Sequence, residues 1–243
     1  MTQPDMSIIV PAYNEEELIA GTLDAIQEYL KTRKETFELI VVDDGSRDAT
    51  VRLVEEWGRA KAPHLRLLVN EKNMGKGFSV RRGVEESRGQ FLIFVDADLP
   101  YDLDAIDGFL HSLRNGNDLA IGSRVLPGSL VKDVPAMRFF AGQVFSWMVQ
   151  VFLFLGIRDT QCGFKSFRAE AAREIFRRLT ISGFGFDVEL LYIARKLKYR
   201  IQPVAVRMIH HRIGSRVRLL DHSLEMLNDL FVIRSNDLRG KYK

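Results

Sequence analysis

Two aspartates separated by one residue close an apolar run in the stretch FLIFVDADLPYD, Phe91–Asp102. Carboxylates at the mouth of a core strand cost desolvation free energy unless something pairs with them. Strand alternation sends Asp96 and Asp98 to opposite sides unless the chain turns, and Pro100 favours a turn. One carboxylate can then meet a divalent cation of the kind held by one or two carboxylates plus substrate phosphates, while the other reaches a sugar hydroxyl. Alone, such a pair reads equally as a helix cap and a surface acid.

Other residues pose the same choice. Asp43 and Asp44, followed by Gly45 and Ser46, make a site or only a turn and cap. Lys76 of NMGKG is a site cation or plain surface charge. Cys162 is the only cysteine. That excludes an intramolecular disulfide and a cysteine zinc site, and leaves Cys162 as a packed small residue rather than a nucleophile. Leu190–Leu220 holds eight Lys/Arg and no acid, with His210 and His211 among them. Such a block suits a solvated face, a polyanionic ligand or an anionic lipid surface. A net charge of +3 over 243 residues argues against a general nucleic-acid binder.

Apolar runs at 7–12, 38–43, 65–69, 91–95 and 118–122 read as buried strands, and segments near 15–33, 48–62, 76–88 and 102–115 as helices. The alternation predicts a Rossmann-like, doubly wound, mostly parallel α/β sheet, in which ligands bind beyond the carboxyl ends of the strands. PAYNEEE, VDDGSRDAT, NEKNMGKG, VDADLP and GSR all fall there. One polar strand–helix loop is ordinary, whereas five on one edge make a site. No G-x-G-x-x-G follows the first strand and NMGKG is not a P-loop, which disfavours a dinucleotide-dependent dehydrogenase or a P-loop NTPase.

Phe139–Ile157 runs 19 residues without a charge, long enough to span a bilayer. Gln143, Ser146 and Gln150 nevertheless form a polar stripe, and a span would separate motifs that belong to one site. The run therefore reads as a helix lying in the membrane interface; the alternatives are a buried core helix or a contact between two copies in a homo-oligomer. A second amphipathic helix near 219–235 groups Leu220, Leu224, Leu227 and Phe231 on one face. The N-terminal stretch shows no signal-peptide pattern.

VPAYNEE, VVDDGSRDAT, NMGKG, VDADLP and GSR, in that order, resemble the family-2 inverting nucleotide-sugar glycosyltransferases of the A-type fold. GIRDTQCGFKSF, FDVELLYIA and IGSRV resemble the dolichyl-phosphate β-glucosyltransferases among them, and less closely the dolichyl-phosphate mannosyltransferases. The resemblance covers nearly the whole chain. It implies one domain over 1–243, with a nucleotide-sugar half at 1–125 and an acceptor half at 126–243 that carries the interface helices (about 136–157 and 219–235). It implies that Pro11, Tyr13, Asn14 and Glu15 contact the nucleoside, with Asp43 and Asp44 near the base and Asp96 and Ala97 by the ribose. Asp98 would ligate Mg²⁺ or Mn²⁺, and Lys76 would belong to the donor site. Arg124, Arg138 and Ser215 would meet the acceptor phosphate. Asp159, Gln161 and Gly163 would floor the sugar pocket, Asp187 rather than Glu189 would reach the site, and Arg212, Ser215 and Arg216 would cover the phosphates. Asp98, Arg124, Asp159 and Asp187 are the implied catalytic group.

The implied reaction moves glucose from UDP-glucose to dolichyl or polyprenyl phosphate, at the cytoplasmic face of the endoplasmic reticulum or, in a prokaryote, of the plasma membrane. The attachment would be peripheral or monotopic. GDP-mannose as donor, a catalytically silent nucleotide-sugar-binding subunit and a nucleotidyltransferase are the rival readings. The sequence departs from the family pattern where an N-terminal anchor or C-terminal spans are often found, and in placing Arg216 where Lys is expected.

Overall fold

A computed structural model describes residues 3–62, 64–131, 136–153, 155–209 and 219–243, with side chains left aside at 136–141 and 219–224. Five strands form where the β-branched runs lie: β1 (Met6–Ala12), β2 (Phe37–Asp43), β3 (Leu65–Val69), β4 (Phe91–Val95) and β5 (Leu119–Ser123). Helices α1 (Ile19–Lys31), α2 (Thr50–Lys61), α3 (Lys76–Glu86) and α4 (Ala105–Arg114) alternate with them. Alternate residues serve opposite faces of the sheet. Ile9, Ile40, Val42, Leu92 and Phe94 join one core, while Ile8, Val10, Leu39, Val41, Ile93 and Val95 join the other.

The second half adds α5 (Ala136–Leu153), β6 (Phe164–Arg168), α6 (Ala169–Arg178), α7 (Phe186–Lys196), β7 (Ile201–Ala205) and α8 (Leu219–Leu238). The seven strands take the order β3-β2-β1-β4-β6-β5-β7. β6 is antiparallel to both β4 and β5, and the other pairings are parallel. Val95, the last residue of β4, lies opposite Phe164, the first of β6. The chain therefore enters β6 from the edge where β4 ends, which brings 159–163 to that edge. Both halves share one sheet.

The faces of α5 and α8 differ from expectation. Two residues of the polar stripe of α5 bond to the following turn: Ser146 Oγ donates to the Arg158 carbonyl (2.7 Å), and Gln150 Nε2 donates to the Ile157 carbonyl (2.6 Å). Gly156 N–H donates back to Gln150 Oε1 at 2.7 Å. Ser146 and Gln150 thus satisfy the backbone of the 156–158 turn, while Gln143 stays exposed. Val149 and Leu153 are buried, while Val144, Trp147, Val151 and Phe152 are exposed, Trp147 by 65%. On α8, Leu230 and Ile233 enter the core, whereas Phe231 faces out and meets the Phe152 ring edge-on at 5.2 Å. Among the described residues no helix is long and apolar enough to cross a membrane.

Candidate functional site

The loops after β1 and β2 are stitched together. Asn14 N–H donates to Ser46 Oγ (2.8 Å), and Arg47 N–H donates to Asn14 Oδ1 (2.7 Å). Glu15 N–H donates to Thr50 Oγ1 at 2.7 Å. Asn14 takes a left-handed backbone, φ 53°, which asparagine tolerates better than most residues. These bonds consume residues that the helical pattern extends into, so α1 starts at Ile19 rather than near 15.

The two acids of VDDG divide their work. Asp44 is buried and accepts from Asn70 Nδ2 (2.8 Å), Met74 N–H (2.9 Å) and Gly75 N–H (2.9 Å). It holds the β3–α3 loop and so sets where Lys76 begins α3. Asp43 Oδ2 accepts from Gly45 and Ser46 N–H (3.1 and 2.9 Å). Its Oδ1 is buried without a hydrogen-bond partner among the described residues, as is Gln161 Nε2. Buried polar atoms without partners are rare and mark places where a polar ligand fits. Pro11 is buried in β1, and Tyr13 is exposed at its end.

Asp96 and Lys76 meet as an ion pair, Nζ to Oδ1 2.5 Å. Burial alone would pull the Lys76 ammonium down, but Asp96 and Asp187 hold it protonated well above its ordinary range. Behind it, Lys165 is fully buried and donates to Asp187 Oδ1 (2.5 Å) and to the Cys162 carbonyl (2.6 Å). Burial pushes the Asp187 carboxyl up, against the pull of Lys165 and Lys76. Lysines and aspartates therefore alternate beneath the sheet edge, each charge facing an opposite one. Gly163 makes room: a side chain there would overlap the Asp96 carboxylate.

Among the described residues Asp98 has no such partner. Burial and the charge of Asp96 push its carboxyl up to about 6; Lys76 opposes this and Glu15 adds to it. A group whose charge is penalised by burial and like charges is relieved by a cation. Among the described residues no three His, Cys, Asp or Glu side chains form a metal cluster. The donor set fits a divalent ion whose coordination a diphosphate completes, not a preformed protein cage.

Arg124 follows β5 and is clamped by Asp159. Nε donates to Oδ2 (2.9 Å), Nη2 to Oδ1 (2.7 Å) and the Arg124 N–H to Oδ2 (2.8 Å). Burial raises the Asp159 carboxyl, but the hydrogen bonds and charge of Arg124 overcome it and hold the group below its ordinary value. Asp159 orients one edge of the guanidinium and leaves the Nη1 edge for another anion. Cys162 is buried, and its thiol is pushed up to about 11 by that burial, so it stays a protonated packing residue.

The family model "Glycosyl transferase family 2" matches residues 7–176. The chain belongs to glycosyl transferase family 2. Among curated relatives in the family, the dolichyl-phosphate beta-glucosyltransferase of Dictyostelium discoideum is 38% identical, over 98% of this chain and 76% of that protein. The Homo sapiens protein of the same name is 36% identical, over 98% and 77%. Glucosyl-3-phosphoglycerate synthase from Mycobacterium tuberculosis, solved with Mn²⁺, UDP and glucosyl-3-phosphoglycerate, aligns with a TM-score of 0.71 over 95% of this chain and 80% of that one. At 18% identity, that likeness establishes the A-type fold of this glycosyltransferase.

The family 2 chain brings Asp43, Lys76, Asp96, Ala97, Asp98, Arg124, Asp159, Gln161 and Gly163 to one end of its sheet. Asp187 sits buried beneath them on Lys165. Glu189 is buried elsewhere, accepting from Thr180 N–H, Ile181 N–H and Tyr242 OH (2.9, 2.7 and 2.5 Å). The sequence does not mark Lys165 as a site residue, since a lysine inside GFKSF shows its purpose only once Asp187 lies against it. Arg212, Ser215, Arg216, His210, His211 and the Arg138 side chain lie outside what the structure describes.

Proposed function

We propose that this glycosyltransferase moves glucose from UDP-glucose to the phosphate of dolichol or a related polyprenol, with inversion at the anomeric carbon. The observation that carries this is the pairing, at one sheet edge, of a carboxylate that favours a cation, Asp98, with an arginine held in one orientation, Arg124. The relatives' shared name supports the acceptor and the sugar; the Mn²⁺ and UDP bound by the mycobacterial synthase support the donor and the metal.

Residues 1–125 hold the donor in this scheme. Asp43 Oδ1 takes an N–H of the base, Pro11, Tyr13, Asn14 and Glu15 flank the nucleoside, and Asp96 and Ala97 lie by the ribose. Asp98 would hold Mg²⁺ or Mn²⁺. When bound, such a cation neutralises charge on the departing diphosphate. Gln161 Nε2 donates to a sugar hydroxyl. Residues 126–243, with Arg124 at the boundary, receive the acceptor, and the Nη1 edge of Arg124 meets its phosphate. A phosphate monoester is largely dianionic at neutral pH, its second pKa being about 6. Its oxygen attacks the anomeric carbon directly, a carbon–oxygen bond to phosphate forms, and the bond to UDP breaks. No strong base is needed, so Asp159 positions Arg124 rather than taking a proton. Lys76 and Lys165 hold the carboxylates of Asp96 and Asp187 in place through their ion pairs.

The exposed apolar face of α5 lies against the cytoplasmic leaflet, where the lipid acceptor resides. Trp147, a residue suited to the membrane–water boundary, leads that face.

A donor panel tests the assignment. The purified chain is given UDP-glucose or GDP-mannose, with and without dolichyl phosphate in vesicles. Glucose transfer that requires the lipid phosphate is expected. Preference for GDP-mannose, or equal transfer to dolichol, would overturn it.

A further inference from the structure

The first part of the basic stretch, at the end of α7, borders a cleft apart from the reaction site. α7 ends in a Schellman motif, with Lys198 N–H on the Arg195 carbonyl and Tyr199 N–H on the Ala194 carbonyl, both at 3.0 Å. The residue at the turn of such a cap is usually glycine, because its backbone is left-handed. Here it is Lys198, φ 61°, which strains a residue with a Cβ. Lys198 lines a cleft of about 320 Å³ with Gly156, Arg195 and Tyr199. Gly156 is left-handed too, φ 70°, and a side chain there would stand 3.3 Å from Arg195 Nη1.

Among the described residues no carboxylate lines this cleft. Arg195 and Lys198 are exposed and make no ion pair among the described residues. Of the three acids whose charge reaches Tyr199, Glu174 and Asp118 are already engaged, and Glu170 lies outside the lining of the cleft. Glu174 pairs with Arg177 and Arg178 (3.0 and 2.5 Å), and Asp118 lies 4.0 Å from Arg200. Cations in a concave site without counter-charge concentrate anions. The exposed apolar residues Val151 and Phe152 lie in the last turn of α5, and Gly156 follows Leu153 by three residues.

We propose that this cleft binds the phosphate-bearing headgroup of an anionic membrane lipid, so that the enzyme docks through an apolar helix and an adjacent cationic notch together. The inference rests on α5 lying against the membrane. It gives the strained Lys198 a purpose, since a glycine would serve the cap better and the cleft worse.

The test is flotation of the full chain with vesicles of phosphatidylcholine alone or mixed with phosphatidylserine. Each of Arg195→Gln and Lys198→Gly should weaken partitioning to the anionic vesicles about fivefold, and the double variant roughly 25-fold. Binding to neutral vesicles should not change, and high salt should erase the difference. Lys198→Gly relieves backbone strain, so its thermal stability should equal or exceed wild type, which separates lost binding from lost folding. Wild-type partitioning of both variants to anionic vesicles would refute the cleft. Trp147→Ser reports on α5: if it weakens binding to both vesicle types while the cleft variants do not, the membrane face stands and only the cleft fails. Wild-type protein that floats with neither vesicle would overturn both. Calorimetric binding of glycerol 3-phosphate in solution, lost in the double variant, would assign the cleft to a soluble phosphate ester instead of a lipid.

Discussion

Replacing Asp159 with asparagine isolates what the carboxylate does for Arg124. Asp159 is 5% exposed and accepts three hydrogen bonds from one residue. Asparagine keeps an oxygen for the Arg124 N–H but loses the charge and turns an acceptor into a donor facing the guanidinium. A hydrogen bond to a charged group is worth about 1.5–3 kcal/mol. Arg124 is about one-third exposed at its side chain, so water recovers part of this in the folded state. The orientation it loses appears in the transition state instead. The expected result is a fall of roughly 10- to 100-fold in kcat/KM for the lipid phosphate, with a modest drop in Tm and unaltered UDP affinity by calorimetry. Arg124→Ala should fall as far or further, and the double variant should be no worse than Arg124→Ala alone, because the residues act as one unit. If Asp159→Asn lowers Tm while acceptor kcat/KM stays at wild type, the pair is structural and the acceptor assignment is wrong. The depressed Asp159 pKa also has a signed consequence. Its stabilisation is present above the unfolded carboxyl value of about 3.9 and is lost as pH falls through the lower folded value, which acid titration of Tm in wild type against Asp159→Asn measures.

Asp98→Asn should lose most turnover at saturating donor and should no longer respond to added Mn²⁺; full activity in that variant, or in chelator, would remove Asp98 from the metal. Because its carboxyl is pushed up to about 6, protons should compete with Mn²⁺: calorimetric affinity in the presence of UDP should fall about tenfold per pH unit well below 6 and level off above it. Gly163→Ala should drive Asp96 off Lys76 and weaken UDP-glucose binding, whereas unchanged affinity would mean that Asp96 yields without consequence. Lys165→Met leaves Asp187 buried without its cation and should cost about 3–5 kcal/mol by urea unfolding, with Lys165→Met/Asp187→Leu recovering much of it.

The first five strands are legible in sequence because each is a short, mostly apolar run between turn signals. β6 and β7 are not. GFKSF carries Lys165 at a core position, and the residue that neutralises it, Asp187, lies 22 positions away. IQPVA is short, holds a proline and sits inside a basic block, and its place at the sheet edge is what tolerates that proline. The site's residues are legible as a set of motifs after strands, but the bonds among them are not. Nothing in VDDG says that Asp44 holds the next loop while Asp43 keeps an oxygen without a partner among the described residues. Nothing in GSR or RDTQ says that Arg124 and Asp159 meet. The polar stripe of α5 is visible in sequence, yet its direction depends on the carbonyls of Ile157 and Arg158, which only the folded turn presents.

The most direct test of the central claim is the anomeric configuration of the product. UDP-α-glucose and dolichyl phosphate are incubated with the purified chain and a divalent cation, and the lipid product is examined by NMR for the coupling at the anomeric proton. A single displacement by the acceptor phosphate gives β-linked glucosyl phosphate. An α-linked product, or glucose released to water with none on the lipid phosphate, would contradict it.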